Sequence, residues 1–377
     1  MKKNVALLLV VLLVCTMFVG CTKKVSGFEI ALITDKGNID DKSFNQGAWE
    51  GVVAYADANK ITSKYYKPEE ATEAGYLAAI DLAVTGGAKV IVTPGFLFEV
   101  PVYTAQTKYP DVKFILLDGA PHTADYATFK TEANVASIMY AEEQSGYLAG
   151  YAAIKDGMTK LGFMGGMAVP AVQAFGYGYL QGADAAAKEM GLADGAISVT
   201  YHYTGNFDET DTNKATAKTM YQEGAQVIFA AGGSVGKSVM SAAAESSKKV
   251  IGVDVDQRYD SETVTTSAMK GLGASVQAVL KAIYDTETWA DFSGKTTVFN
   301  ASNDGVGLPT MIIGDENGNA FDRFTTFDKA AYDTVYATLV DGSVTLKRTI
   351  TAKDASKATA KELVTDLGLT KLTVTVR

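Results

Sequence analysis

Three apolar runs in this chain stop on an aspartate: residues 31–34 before Asp35, 114–117 before Asp118 and 250–253 before Asp254. Each run is short and apolar throughout, which is the pattern of a strand buried on both faces. Longer stretches of helical period lie between them, so the chain reads as α/β, with parallel sheets and right-handed crossover helices. Strands are predicted at 28–34, 89–93, 112–118, 161–164, 197–203, 226–230, 250–254 and 264–266. Helices are predicted at 43–58, 69–85, 98–108, 140–155, 172–189, 209–223 and 235–247. The rhythm repeats in the two halves, and 377 residues is long for one compact domain, so two similar lobes are expected. Later the pattern loosens into helices at 274–286 and 325–340, strands at 296–300 and 308–313, and short β-like runs with a helix over 344–377.

In an open α/β sheet the loops at the carboxyl ends of strands build the ligand site. Asp35, Asp118 and Asp254 sit at three such ends and could converge on one cleft. An ionised carboxylate only accepts hydrogen bonds, so it suits a ligand presenting hydroxyl or N–H groups and repels phosphate. Taken singly, each aspartate is equally well a turn or cap residue. The densest stretch is 35–51, where Asp35, Asp40 and Asp41 precede Phe44 on the first turn of a helix. Its plain alternative is that Asp41 or Ser43 caps that helix while Phe44 packs inward.

Residues 1–20 read as a signal peptide, with Lys2 and Lys3 ahead of a short apolar core. The run Phe18-Val19-Gly20-Cys21 is similar to a bacterial lipobox, with Phe18 in place of the usual leucine. It predicts cleavage before Cys21, lipidation of that cysteine and a polar tether over 21–27; an ordinary signal peptide is the alternative. Cys15 leaves with the leader, so no internal disulfide, zinc site or catalytic cysteine is expected. The formal net charge is −9 before Lys2 and Lys3 are lost, which argues against nucleic acid as a partner. No later run is long enough to span a membrane.

Several motifs point elsewhere. Residues 231–238, AGGSVGKS, fit a relaxed phosphate-binding loop with alanine for the first glycine, so an NTPase is a competing reading. A lipid-anchored exported chain would meet no ATP pool, and the acidic strand ends disfavour a triphosphate. Gly232–Gly236 also matches G-x-S-x-G, but both histidines, His122 and His202, precede Ser234, so the hydrolase order fails. Residues 315–319 imitate a calcium loop, yet Ala320 and Thr326 occupy the positions that require Gly and Glu.

The stretches 35–51, 134–153, 162–166 (GFMGG), 203–209 (YTGNFDE), 230–236, 250–257 (VIGVDVDQ) and 266–270 (TSAMK) together resemble the basic membrane protein family of bacterial lipoproteins. The family's best-understood members are purine nucleoside receptor A-type substrate-binding proteins of ABC transporters. The resemblance runs from about residue 28 to 311. It implies a type I periplasmic-binding-protein fold, two Rossmann-like lobes joined by three hinge crossings. The lobes would be 28–138 plus 266–296 and 139–265 plus 297–377.

The resemblance implies that Phe44 and Phe207 sandwich a base, and that Asp35, Asp41 and Asp118 hydrogen-bond the nucleoside. It implies that Asp254 and Lys270 hold the ribose while Gly233 offers a backbone contact, with Asn45 and Gln257 behind them. A monomeric, lipid-anchored, extracytoplasmic protein is expected, delivering a nucleoside to an ABC permease without a cofactor or a catalytic residue. A sugar or autoinducer-type ligand on the same fold and a surface-adhesion role are the other readings.

Overall fold

The computed structural model describes residues 27–284, 288–315 and 318–377. The leader and Cys21 lie outside them. The elements in order are β1 (Ile30–Ile33), α1 (Phe44–Asn59), β2 (Ser63–Tyr66), α2 (Glu73–Thr85), β3 (Val90–Pro94), α3 (Glu99–Lys108), β4 (Lys113–Leu117) and β5 (Val135–Tyr140). There follow α4 (Glu142–Lys155), β6 (Lys160–Gly165), α5 (Pro170–Glu189), β7 (Ile197–Tyr203), α6 (Asp211–Gln222), β8 (Val227–Ala231), α7 (Val235–Ser246) and β9 (Lys249–Asp254). The chain closes with β10 (Val264–Lys270), α8 (Leu272–Tyr284), β11 (Lys295–Phe299), β12 (Val306–Gly307), α9 (Lys329–Val340), α10 (Ala360–Leu367) and β13 (Leu372–Val376).

The apolar runs do what their composition demands. All four residues of β1 are fully buried, and each large aliphatic side chain so buried contributes roughly 1.5–3 kcal/mol. A six-stranded sheet has the order β11-β5-β4-β3-β1-β2, and a seven-stranded sheet has the order β12-β10-β9-β8-β6-β7-β13. Pairing is parallel throughout, except where β12 lies antiparallel to the end of β10. Strand order reverses between β1 and β3 in the first sheet and between β6 and β8 in the second. Helices on either side of such a point lie on opposite faces, so the loops part and leave a crevice. Asp35 and Gly95 flank the first crevice; Gly166, Gly232 and Gly233 flank the second.

Sheet membership changes at Ala141, Gly271 and Asn300. These are the three crossings expected of the fold, though shifted from the predicted boundaries. The expected first-lobe segment from 266 begins instead after Lys270, because Val264–Lys270 is one continuous strand whose Met269 pairs with Asp254. Residues 297–299, assigned to the second lobe, extend β11 of the first sheet, where Phe299 pairs with Tyr140. Helices α4 and α5 touch backbone to backbone: a Cβ at Gly182 would lie 1.9 Å from the Tyr147 carbonyl oxygen, and one at Gly150 2.1 Å from that of Tyr179. This contact fixes the helix that carries Glu142 against the one that carries Phe175.

Other differences have local causes. Strand β2 has the sequence SKYY, largely exposed at a sheet edge, and shows no apolar run. The strand expected at 308–313 is irregular, with Met311 and Ile313 almost fully exposed. The stretch after 344 resolves into α10, started by a Thr359–Glu362 capping box, and β13, which adds a parallel strand to β7. Among the described residues no helix is long and apolar enough to cross a membrane.

Candidate functional site

The turn after β1 is held by its own side chains. Asp41 Oδ1 accepts from the backbone N–H groups of Ser43 (2.8 Å) and Gln46 (3.1 Å), while Oδ2 accepts from Asn45 N (3.0 Å) and Nδ2 (2.8 Å). A carboxylate has about four acceptor positions, and all four are engaged. Asp41 therefore caps α1 and positions its neighbours, the capping role that the plain alternative gave it, while it also lines the cavity. Asn45 also donates to Asp35 Oδ1 at 2.8 Å and accepts from Asp35 N at 3.0 Å. Asp35 Oδ1 further accepts from Gly37 N, which leaves Oδ2 at the crevice wall beside Gly95. Burial, with Asp41 and Asp254 nearby, outweighs the Gly37 and Asn45 hydrogen bonds and pushes the Asp35 carboxyl up to about 6.

Asp118 and Asp254 both adopt left-handed backbone angles, φ 55° and 66°. That conformation is uncommon outside glycine but tolerated by aspartate. Between them lies Lys270, 4% exposed. Its Nζ donates to Asp118 Oδ2 and lies 3.4 Å from Glu142 Oε1 and 3.9 Å from Asp254 Oδ1. It also stands 4.8 Å from the Phe44 ring centre and 5.3 Å from that of Phe175. Burial pulls the Lys270 ammonium down, but the three carboxylates prevail and its affinity for the proton rises. Burial pushes Asp254 up to about 6, moderated by Lys270 and by the Ser43 hydroxyl. Asp118 Oδ1 is buried and has no hydrogen-bond partner among the described residues.

These groups surround one cavity of about 280 Å³ between the two sheets. Its wall includes Asp35, Asp41, Phe44, Asn45, Asp118, Phe207, Gly233, Asp254 and Lys270. Phe207 is backed by Gly166, where a Cβ would sit 2.5 Å from the ring. Gly233, at φ 55°, brings backbone to the wall where a side chain would be strained. Gln257 lies behind the wall: its Oε1 accepts from Val253 N, and its Nε2 donates across the lobes to the Lys42 carbonyl at 2.7 Å. Lys237, the lysine of the phosphate-loop motif, points to the Asp40 carbonyl 3.4 Å away instead of curling over its own loop.

Several wall residues were not foreseen, among them Glu142, Arg348, His122, Glu99 and Tyr126. Glu142 is 1% exposed and ion-paired to both Lys270 and Arg348. His122 faces Glu99 at 3.2 Å and stacks on Tyr126, 4.2 Å between ring centres. The only signal for Glu142 was its place inside the 134–153 stretch.

The family model described as ABC transporter substrate-binding protein PnrA-like matches residues 28–332. An ABC transporter nucleoside-binding protein, BmpA, of Lactococcus lactis is 30% identical over 87% of this chain and 91% of its own length. Basic membrane protein A2 of Borrelia garinii is 29% identical over 75% of this chain and 82% of its own. A solute-binding protein of an Aeropyrum pernix ABC transporter superposes with a TM-score of 0.74 at 22% identity, covering 90% of this chain and 98% of its own. An arabinose-binding protein from Geobacillus stearothermophilus superposes at 0.55 and 12% identity, covering 75% and 96%. The sheet order, the crevice at both strand-order reversals and the family match agree: the chain belongs to the PnrA-like ABC transporter substrate-binding proteins.

Proposed function

We propose that this protein captures a nucleoside, a purine nucleoside foremost, in the interlobe cavity and hands it to an ABC permease. The observation that carries this reading is the unpartnered, buried Asp118 Oδ1. A buried acceptor without a donor costs about 1–3 kcal/mol, and a ligand N–H or O–H removes that cost. Asp35 Oδ2 offers a second acceptor, and Phe44 and Phe207 supply flat apolar walls for a base. Lys270, the one buried ammonium among the described residues, is already matched by three carboxylates, so a phosphate would find no net positive charge there. A nucleoside therefore fits better than a nucleotide. The Lactococcus relative, named for nucleoside binding, supports the same reading. Capture desolvates the ligand as the lobes close, and no bond is made or broken. The protein would act as a monomer on the extracytoplasmic face, held to the membrane through lipid on Cys21.

Calorimetric titration tests the ligand. The chain from Thr22 onward, unfolded and refolded to remove carried ligand, is titrated with guanosine, inosine, adenosine, cytidine, ribose, glucose and Mg-ATP. Nucleoside binding without a response to ribose or Mg-ATP is expected. A response to sugar or ATP with silence for every nucleoside overturns the ligand while leaving the family intact.

A further inference from the structure

Residues 344–350 lie beyond the segment matched by the family model, yet they reach the cavity. Val344, Leu346 and Ile350 pack against the second-lobe core, so alternate side chains of this extended strap face inward. Arg348 occupies an inward position in that alternation and lines the cavity. The strap is fastened beside it. Lys347 N donates to Gln181 Oε1 at 3.0 Å, Gln181 Nε2 donates to the Lys347 carbonyl at 2.8 Å, and Thr351 N donates to Asp366 Oδ2 at 2.7 Å.

The Arg348 guanidinium spans one of the lobe crossings. Its Nη1 donates to the Tyr140 carbonyl at 3.1 Å, at the end of first-lobe strand β5. Its Nη2 donates to Glu142 Oε2 at 2.9 Å, and Nη1 lies 3.2 Å from Glu143 Oε2, both on the first turn of α4. The other oxygen of Glu142 faces Lys270. A charge relay thus runs from the strap through Glu142 to Lys270, Asp118 and Asp254.

We propose that Arg348 is a positioning residue for the cavity: it keeps Glu142 ionised across the Ala141 crossing, and Glu142 in turn holds Lys270 between its carboxylates. A planar two-armed donor suits this place, where a carbonyl and two carboxylates must be met at once. The groups facing Glu142 are Lys270 from β10, Asp118 after β4, Arg348 from the strap and Glu143 on its own helix, with Asp254 beyond Lys270. Burial and Asp118 favour the neutral acid, and Lys270 and Arg348 favour the ionised form; the Glu142 carboxyl stands at about 7. Loss of Arg348 tips the balance toward a neutral Glu142 at physiological pH and frees Lys270 on one side.

The test is infrared difference titration of the ligand-free protein, with Glu142→Gln identifying the carboxyl band. Arg348→Met is expected to raise the Glu142 midpoint by roughly one pH unit, and Arg348→Lys to return it most of the way. Far-ultraviolet circular dichroism checks that each variant folds. An unchanged midpoint in Arg348→Met overturns the proposal, as does a shift that Arg348→Lys leaves in full, since lost packing would then be the cause. A second arm, which rests on the nucleoside reading, follows guanosine affinity against pH. A profile whose upper step moves with the carboxyl midpoint supports the link to Lys270, and an unmoved step overturns that link. Absence of guanosine binding in the parent protein fails the ligand assignment alone, and the carboxyl midpoint then decides.

Discussion

The Ser43 hydroxyl donates to Asp254 Oδ2 at 2.5 Å, joining residues 211 positions apart in the chain. Ser43 begins the helix after β1 in the first sheet, and Asp254 ends β9 in the second. The bond therefore exists only while the lobes face each other closely. The Gln257–Lys42 bond and the Lys42–Asp260 ion pair (3.7 Å) lie along the same lip.

Ser43→Ala removes one donor from a buried carboxylate, a loss of about 1.5–3 kcal/mol. Because the bond forms on closure, the cost falls on dissociation. Nucleoside affinity is expected to drop about tenfold or more, carried by a faster off-rate with little change in on-rate. Stopped-flow fluorescence separates the two, and a slowed on-rate with an unaltered off-rate would place the bond before closure.

Phe44→Ala and Phe207→Ala each remove one flat wall of the cavity. Base–aromatic stacking contributes about 1–3 kcal/mol per base, so each change should weaken nucleoside binding tenfold or more. Phe44 also covers the Lys270 ammonium at 4.8 Å, so its loss should be the more damaging. Titration calorimetry reads both, and unaltered affinity in the pair refutes stacking.

Lys237→Ala tests the phosphate-loop reading. That motif needs its lysine folded toward the phosphates, whereas Lys237 reaches across to the Asp40 carbonyl. The variant should keep nucleoside affinity within about threefold, consistent with the small worth of an exposed polar contact. Mg-ATP should bind neither protein, and ATP binding lost on substitution would restore the NTPase reading.

Much of the site was legible because strand ends announce themselves. An apolar run that stops on aspartate is visible in sequence, and Asp35, Asp118 and Asp254 do line one cavity. The opening stretch carried two meanings that sequence cannot separate, since a capping aspartate and a ligand-binding one look alike. Only the four donors on Asp41 reveal the cap. Glu142 was hidden for a related reason, as glutamate is favoured on the first turn of any helix by the backbone dipole. Its burial comes from β10 and the strap, whose partners no local pattern specifies. Sheet pairing likewise decided that the strand ending at Lys270 belongs to the second lobe.

Asp35 and Asp254 give the binding reaction a pH dependence with a definite sign. Both carboxyls stand at about 6 in the folded chain, against an ordinary 3.8, with burial the largest cause. A raised value means that the folded state holds the proton more tightly than the unfolded state. The stability these groups contribute is therefore complete below 3.8 and is lost as pH rises through 6. Ligand-free protein should lose thermal stability across that window. Ligand hydroxyl or N–H groups need the ionised acceptors, so nucleoside affinity should rise over the same window and protons should be released on binding near pH 6. Calorimetry in two buffers of different ionisation enthalpy measures that release. Proton uptake near pH 6 would mean that the ligand meets the neutral acids, and the roles of Asp35 and Asp254 as acceptors would fall with it.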